Sequence, residues 1–264
     1  MEIICPAGNG TLNHTDCLEC SSTNPTPCGY SYSLLKAIYG RAQDRSGEVH
    51  VTDITGCLRK AYFDKLLPAP ERVSDKLVKF LGVAVHESVE DKDEFMESEI
   101  PVEALGIVGK SDALYADGTL LDFKTTRWMI PDRLPYGSHE LQVNIYAHLL
   151  RLAGKKVERL FIQYVDMSGP TKCRKCNVVV EKVGDQLLCP KCLAAPRGAH
   201  LGALLVEVPM QDEASLEELI KTRVGLLRAA MEGGAQPPAE PSFLCQYCNN
   251  TLSCPEGMAF LAKS

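Results

Sequence analysis

Asp112, Asp122 and Lys124 lie on two stretches of chain separated by Ala116-Asp117-Gly118. A three-residue hairpin loop takes glycine at its left-handed position, and Gly118 stands there. With Tyr115 paired to Thr119, Asp112 falls directly opposite Asp122, and Lys124 shares their face because strand side chains alternate. A two-residue loop would put the aspartates on opposite faces, so the turn decides the chemistry. Opposed carboxylates destabilise one another unless a cation sits between them. Hard oxygen donors suit Mg²⁺ or Mn²⁺, which polarise a phosphoryl oxygen and acidify water, while a neighbouring ammonium orients that water or stabilises developing negative charge. The pattern points to phosphodiester hydrolysis.

Gln142 and Tyr146 follow at i and i+4, one above the other if that segment is helical. Glutamine can hydrogen-bond a phosphate or the water, and tyrosine can stack or hydrogen-bond. His86 precedes the aspartates on an amphipathic stretch, beside its apolar stripe.

Twelve cysteines fall into three sets. Cys57 stands alone, and the C-terminus carries Cys245, Cys248 and Cys254. Together they supply the four thiolates that a 4Fe-4S cluster needs. Cys173, Cys176, Cys189 and Cys192 form two C-x2-C pairs around a valine-rich hairpin, the spacing of a tetrahedral zinc ribbon. Cys5, Cys17, Cys20 and Cys28 contain one such pair and suggest a further zinc site, with free thiols or a disordered tail as the alternative.

These residues lie on expected elements. Helices are predicted over 33–42, from a Thr52 or Asp53 cap to before Pro68, and over 74–96, 138–152 and 213–231. Cys57 is expected in the first turn of the second helix. Strands are predicted over 107–115, 119–125, 157–165 and 203–208. Residues 1–30 show no periodicity, so order there is expected to come from something other than a core. The resulting organisation is a cysteine-rich arm (1–30), a nuclease core in two parts (31–170 and 196–236), a zinc-ribbon insertion (171–195) and a proline-led iron-sulfur segment (237–264).

The set Cys57-Leu58-Arg59, Gly82-Val83-Ala84-Val85-His86-Glu87, Asp112, Asp122-Phe123-Lys124, Gln142-Val143-Asn144-Ile145-Tyr146 and the terminal cysteine triplet resembles the RecB-like branch of the PD-(D/E)XK nuclease superfamily. It is most similar to the CRISPR-associated exonucleases of the fourth Cas family. The resemblance covers roughly residues 50–170 and 203–260. It implies an α/β restriction-endonuclease-like core with a mixed central sheet flanked by helices. It implies metal ligands at His86, Asp112, Asp122 and the Phe123 carbonyl, and a 4Fe-4S cluster on the four cysteines. It further implies exonuclease action on single-stranded DNA or overhangs, with the Cas integrase as a partner in making spacers. Asp122 stands where the family more often has glutamate, one methylene longer. A RecB-like repair or phage nuclease, and an idle metal-stabilised DNA-binding adaptor, are the rival readings.

The net charge of −6 argues against wholesale coating of a duplex. Contact with DNA then depends on local clusters such as Arg59-Lys60, Lys76/Lys79 and Lys172/Arg174/Lys175. Cysteines clustered as metal ligands predict a reducing, cytoplasmic setting. The absence of an apolar run of about 18 residues predicts a soluble chain.

Overall fold

The computed structural model describes residues 1–8, 10–23, 28–40, 47–90, 96–126, 129, 133–167, 171–183, 186–195 and 202–263. The expected end of the helix over 33–42 lies outside these residues, as does 91–95 of the helix expected over 74–96, whose last position, Met96, instead opens a strand. In chain order the elements are β1 (Glu2–Ile4), β2 (Thr11–Asn13), α1 (His14–Thr23), α2 (Tyr32–Gly40), α3 (Val51–Ile54), α4 (Leu58–Leu66), β3 (Glu71–Arg72) and α5 (Val73–Glu90). There follow β4 (Met96–Ala104), β5 (Ile107–Tyr115), β6 (Thr119–Thr126), α6 (Gly137–Leu152), β7 (Arg159–Asp166), β8 (Glu181–Val183), β9 (Gln186–Leu188), β10 (Ala203–Val208), α7 (Glu213–Met231) and α8 (Pro255–Leu261).

A mixed sheet in the order β10-β7-β6-β5-β4 organises this α/β fold. β6 pairs with β5 antiparallel and with β7 parallel, and β7 pairs with β10 antiparallel. Parallel neighbours need a crossover, and α6 supplies it, packing on both strands it connects. Among the described residues no helix is long and apolar enough to cross a membrane.

Two compact units divide the chain: residues 1–87 with 101–109 and 212–264, and residues 88–100 with 110–211. In the second unit, β7 alternates strictly, burying Leu160, Ile162 and Tyr164. α6 is buried from Val143 through Leu150, so it must satisfy polar side chains internally. Asn144, 3% exposed, does so. Its Nδ2 donates to the Glu140 and Pro209 carbonyls at 3.0 and 3.2 Å, and its Oδ1 accepts the Gln211 N–H at 2.8 Å.

In the first unit, α7 buries Leu216, Ile220, Val224 and Leu227 on one stripe and packs against α3 and α4. The single helix expected after residue 52 is in fact two. Asp53 sits inside α3, where its carboxylate accepts the His50 N–H at 2.7 Å, and the chain breaks at Gly56. Cys57 then occupies the N-cap of α4 rather than a place within its first turn. The first thirty residues also differ from expectation. They hold two short strands and α1, with β1 between β2 and β3 in a three-stranded sheet. Ile3, Cys17, Leu35, Ile38, Tyr39 and Val73 form a small core beside it.

Replacing Asn144 by alanine strands the Gln211 N–H and two carbonyls in a dry environment. The expected loss is about 1–3 kcal/mol of unfolding free energy. Urea titration of Asn144→Ala checks it, and an unchanged midpoint would contradict the role given to this side chain.

Candidate active site and metal centres

The β5–β6 connection is the three-residue turn that the sequence favours. Gly118 has φ +90°, and its N–H donates to the Tyr115 carbonyl at 2.9 Å. A Cβ here would also come within 3.3 Å of the Glu158 backbone nitrogen. The Asp117 carboxylate accepts the Thr119 N–H at 2.9 Å and fixes the far side of the turn. Ala113 pairs with Leu121 and Leu114 with Leu120, so the next position sets Asp112 opposite Asp122.

Asp112 Oδ2 accepts the Phe123 N–H at 2.7 Å, and Asp122 is 2% exposed. Lys124 Nζ lies 2.5 Å from Asp122 Oδ2. One ammonium among two carboxylates leaves the group negative. This donor set fits a hard divalent cation.

α6 brings Gln142 and Tyr146 to the same place. Burial and the negative charges of Asp122 and Asp112 push the Tyr146 phenol up to about 12, against the opposing effect of its hydrogen bond with Gln142. Tyr146 therefore stays protonated as a hydrogen-bond donor. The structure thus gathers Asp112, Asp122, Lys124, Gln142 and Tyr146 in the second unit. His86 lies half-buried on α5, in the first unit.

Sequence reasoning missed a group beside Lys124. Tyr164, its register partner on β7, is fully buried and receives the Tyr136 N–H at 3.3 Å. The His139 Nδ1 lies 3.0 Å from the Tyr164 hydroxyl oxygen. Tyr136 stacks edge-on against both rings. Burial, then the nearby Lys124 charge, holds His139 down at about 4, so the imidazole is neutral at ordinary pH. The signal was available in the chain: His139 stands one turn before Gln142 on the helix face that continues to Tyr146.

The ribbon cysteines form a closed thiol cage. The ligand atoms of Cys173, Cys176, Cys189 and Cys192 all lie within 4.8 Å of one another, close enough to bind a metal ion. Its two halves repeat one geometry. Asn177 donates its N–H to the Cys173 carbonyl at 2.7 Å and Leu193 to the Cys189 carbonyl at 2.8 Å, both from left-handed backbone with φ +53° and +57°. The N–H groups of Cys176 and Lys175 turn toward the Cys173 sulfur and pull its thiol down to about 7, favouring the thiolate that a metal requires.

Cys57 is brought to the C-terminal segment by a polar network around α4. Arg59 Nε donates to the Pro237 carbonyl at 2.6 Å, Arg59 also pairs with Glu256 at 3.3 Å, and Asn250 Nδ2 donates to Asp64 at 2.9 Å. The Cys57 sulfur accepts the Glu240 N–H at 3.4 Å and the Cys245 sulfur the Ser242 N–H at 3.5 Å. Gly257 lies against two of these sulfurs: a Cβ there would sit 3.4 Å from Cys254 Sγ and 3.6 Å from Cys245 Sγ. Backbone N–H donors aimed at sulfur suit thiolates bound to a cluster. At the N-terminus, burial raises the Cys17 thiol, the Tyr39 hydroxyl opposes the rise, and Cys28, Cys5 and Cys20 add to it. The four sulfurs share one neighbourhood.

Residues 33–255 match the PD-(D/E)XK nuclease superfamily. The chain belongs to this superfamily, whose members hydrolyse phosphodiesters with divalent metals. Among solved structures it is similar to SSO0001, with 20% identity over 83% of this chain and 93% of that chain and a TM-score of 0.49. It is also similar to a phage related exonuclease from Haemophilus somnus 129PT, with 12% identity over 71% of this chain and 96% of that chain and a TM-score of 0.40. No curated protein sequence matches it.

The neutral His139 carries a pH signature. Its folded pKa lies below that of a free histidine, so the unfolded chain takes up a proton first as pH falls. Stability from this group is complete above about pH 6.5 and declines toward pH 4. His139→Gln cannot titrate and should show a shallower acid slope in melting temperature across that window. Equal slopes would contradict the buried, neutral assignment.

Proposed function

We propose that the chain is a metal-dependent exonuclease acting on single-stranded DNA or DNA overhangs, and that it processes spacer precursors beside a Cas integrase. The observation that carries the hydrolytic reading is the facing pair Asp112 and Asp122 with Lys124 against it. An idle adaptor has no physical reason to keep two carboxylates opposed, one of them buried. The CRISPR role is supported by the motif resemblance alone.

Asp112, Asp122 and the Phe123 carbonyl would hold Mn²⁺ or Mg²⁺, with His86 added on the strength of its motif. When bound, such an ion supplies Lewis-acid polarisation of the scissile phosphate and lowers the pKa of water. The chain's own residues do the rest. Lys124, held beside Asp122, orients the attacking water and faces the charge that develops on the phosphoryl oxygens. Tyr146 donates its phenolic hydrogen, and Gln142 pairs with it to position the strand. The neutral His139, held by Tyr164, keeps a second positive charge away from Lys124.

The cysteine sets are structural in this proposal: a 4Fe-4S cluster on Cys57, Cys245, Cys248 and Cys254, and zinc in the ribbon. The ribbon also offers phosphate contacts. Lys172, Arg174, Lys175 and Lys191 are exposed on it. By contrast Arg59 and Lys60 pair with Glu256 and Asp64, and Lys76 and Lys79 both pair with Glu71.

Asp112→Ala and Lys124→Ala should each lower digestion of a labelled single-stranded oligonucleotide by about 100-fold or more when assayed below the melting transition of the variant, so that the loss is not one of folding. Near wild-type digestion by both variants in Mn²⁺ would defeat the assignment. Cys57→Ala should lose absorbance near 400 nm and melt at a lower temperature, yet cut DNA in the cold while still folded. A variant that melts like wild type but cannot cut would mean that the cluster acts on DNA directly.

A further inference from the structure

The N-terminal module poses a problem of cohesion. Its sheet has strands of two or three residues, and its core is the handful of side chains around Ile3 and Leu35. Folds of this size need a staple. Four thiols lie where one would act. Cys5 follows β1 and opens a turn in which its N–H donates to the Gly10 carbonyl at 3.0 Å and its own carbonyl receives the Gly8 N–H at 3.4 Å. Cys17 and Cys20 stand one turn apart on α1, and Cys28 sits in the turn that leads to α2.

A second observation comes from the partner of Cys17. Tyr39 is 6% exposed, and its hydroxyl donates to the Cys17 sulfur at 3.3 Å. A neutral thiol is a weak acceptor, so on its own it would leave a buried phenol poorly satisfied. A metal-bound thiolate is a full acceptor, and an outer hydrogen bond of this kind is how proteins fix metal ligands. His14 packs edge-on against the same ring at 5.8 Å and holds it in place.

We infer that Cys5, Cys17, Cys20 and Cys28 form a structural zinc site, distinct from the ribbon, with Tyr39 as its outer hydrogen-bond donor. Zinc suits four thiolates in a closed tetrahedral site with no redox duty. Among the described residues, no other group of three or more ligands is drawn together as tightly as the ribbon quartet, so the N-terminal sulfurs must move inward to meet Zn–S bonds of about 2.3 Å. Ordering of this module is therefore coupled to metal. The effect reaches further along the chain, because β1 pairs in parallel with β3, directly before α5 and His86.

Metal analysis of the desalted full-length protein tests the site. Wild type should carry two zinc ions per chain. Cys17→Ser/Cys20→Ser should carry one, Cys173→Ser/Cys176→Ser should carry one, and the combined variant none. The proposal is overturned if Cys17→Ser/Cys20→Ser holds as much zinc as wild type, or if the metal it loses is iron. Tyr39→Phe keeps all four sulfurs and covers the case in which the double variant does not fold. It should keep two zinc ions but surrender one of them to EDTA about tenfold faster than wild type. An unchanged rate would overturn the role given to Tyr39.

Discussion

Two carboxylates face each other across β5 and β6, and much of the second unit is arranged around that conflict. Like charges directly opposed in an antiparallel pair destabilise it. Gly118 makes the opposition unavoidable by closing a three-residue turn that only a left-handed residue without a side chain can complete. Lys124 offsets one charge from the same strand. Tyr146 and Gln142 come over the pair from α6, which can sit there because it crosses from β6 to the parallel strand β7. His139 lies against Tyr164, from β7, and burial together with the Lys124 charge keeps it neutral next to the ammonium. The site is thus the product of a turn, a strand alternation and a crossover, and each is enforced by sterics or backbone hydrogen bonding rather than by the charges themselves.

Apolar burial does less elsewhere. The C-terminal segment folds as two 3-10 turns, Phe243–Tyr247 and Thr251–Ser253, that bury no residue, and α8 buries only Gly257. Phe243 and Leu252 are largely exposed. What anchors this segment is polar contact with α4 through Arg59 and Asn250. The ribbon is similar on a smaller scale, with a core of cysteines and Val180.

The parts of this fold that were legible in the sequence are those where one signal dominates. The hairpin was, because Gly118 and the flanking alternation agree. α7 and β10 were, because their apolar periods run uninterrupted. The rest was obscured by competing signals. β4 carries Pro101 and three glutamates in nine residues, which suits an edge strand but hides it from any test of alternation. β1 and β2 are too short to show a period, and their burial comes from α2 and Val73, far along the chain. Gly56 breaks the helix that would otherwise join α3 to α4, and the break places Cys57 at a helix start, where its sulfur accepts the Glu240 N–H. The shared face of Asp112, Asp122 and Lys124 was legible for the same reason as the hairpin. Tyr164 was not, since its place beside Lys124 depends on the parallel pairing of β6 with β7.

The ribbon sits between β7 and β10, two strands that pair antiparallel from Val165 with Ala203 onward, and the Asp166 N–H donates to the Gly202 carbonyl at 2.8 Å where the chain returns. Its exit and re-entry points are therefore clasped together by the sheet itself, as the ends of an ordinary hairpin would be. Since closing a loop grows only slowly more costly with its length, the sheet is nearly indifferent to what hangs from that clasp. The position behaves as a socket: a cassette of different size or specificity can be exchanged there, by evolution or by hand, without disturbing the register that sets the two aspartates face to face.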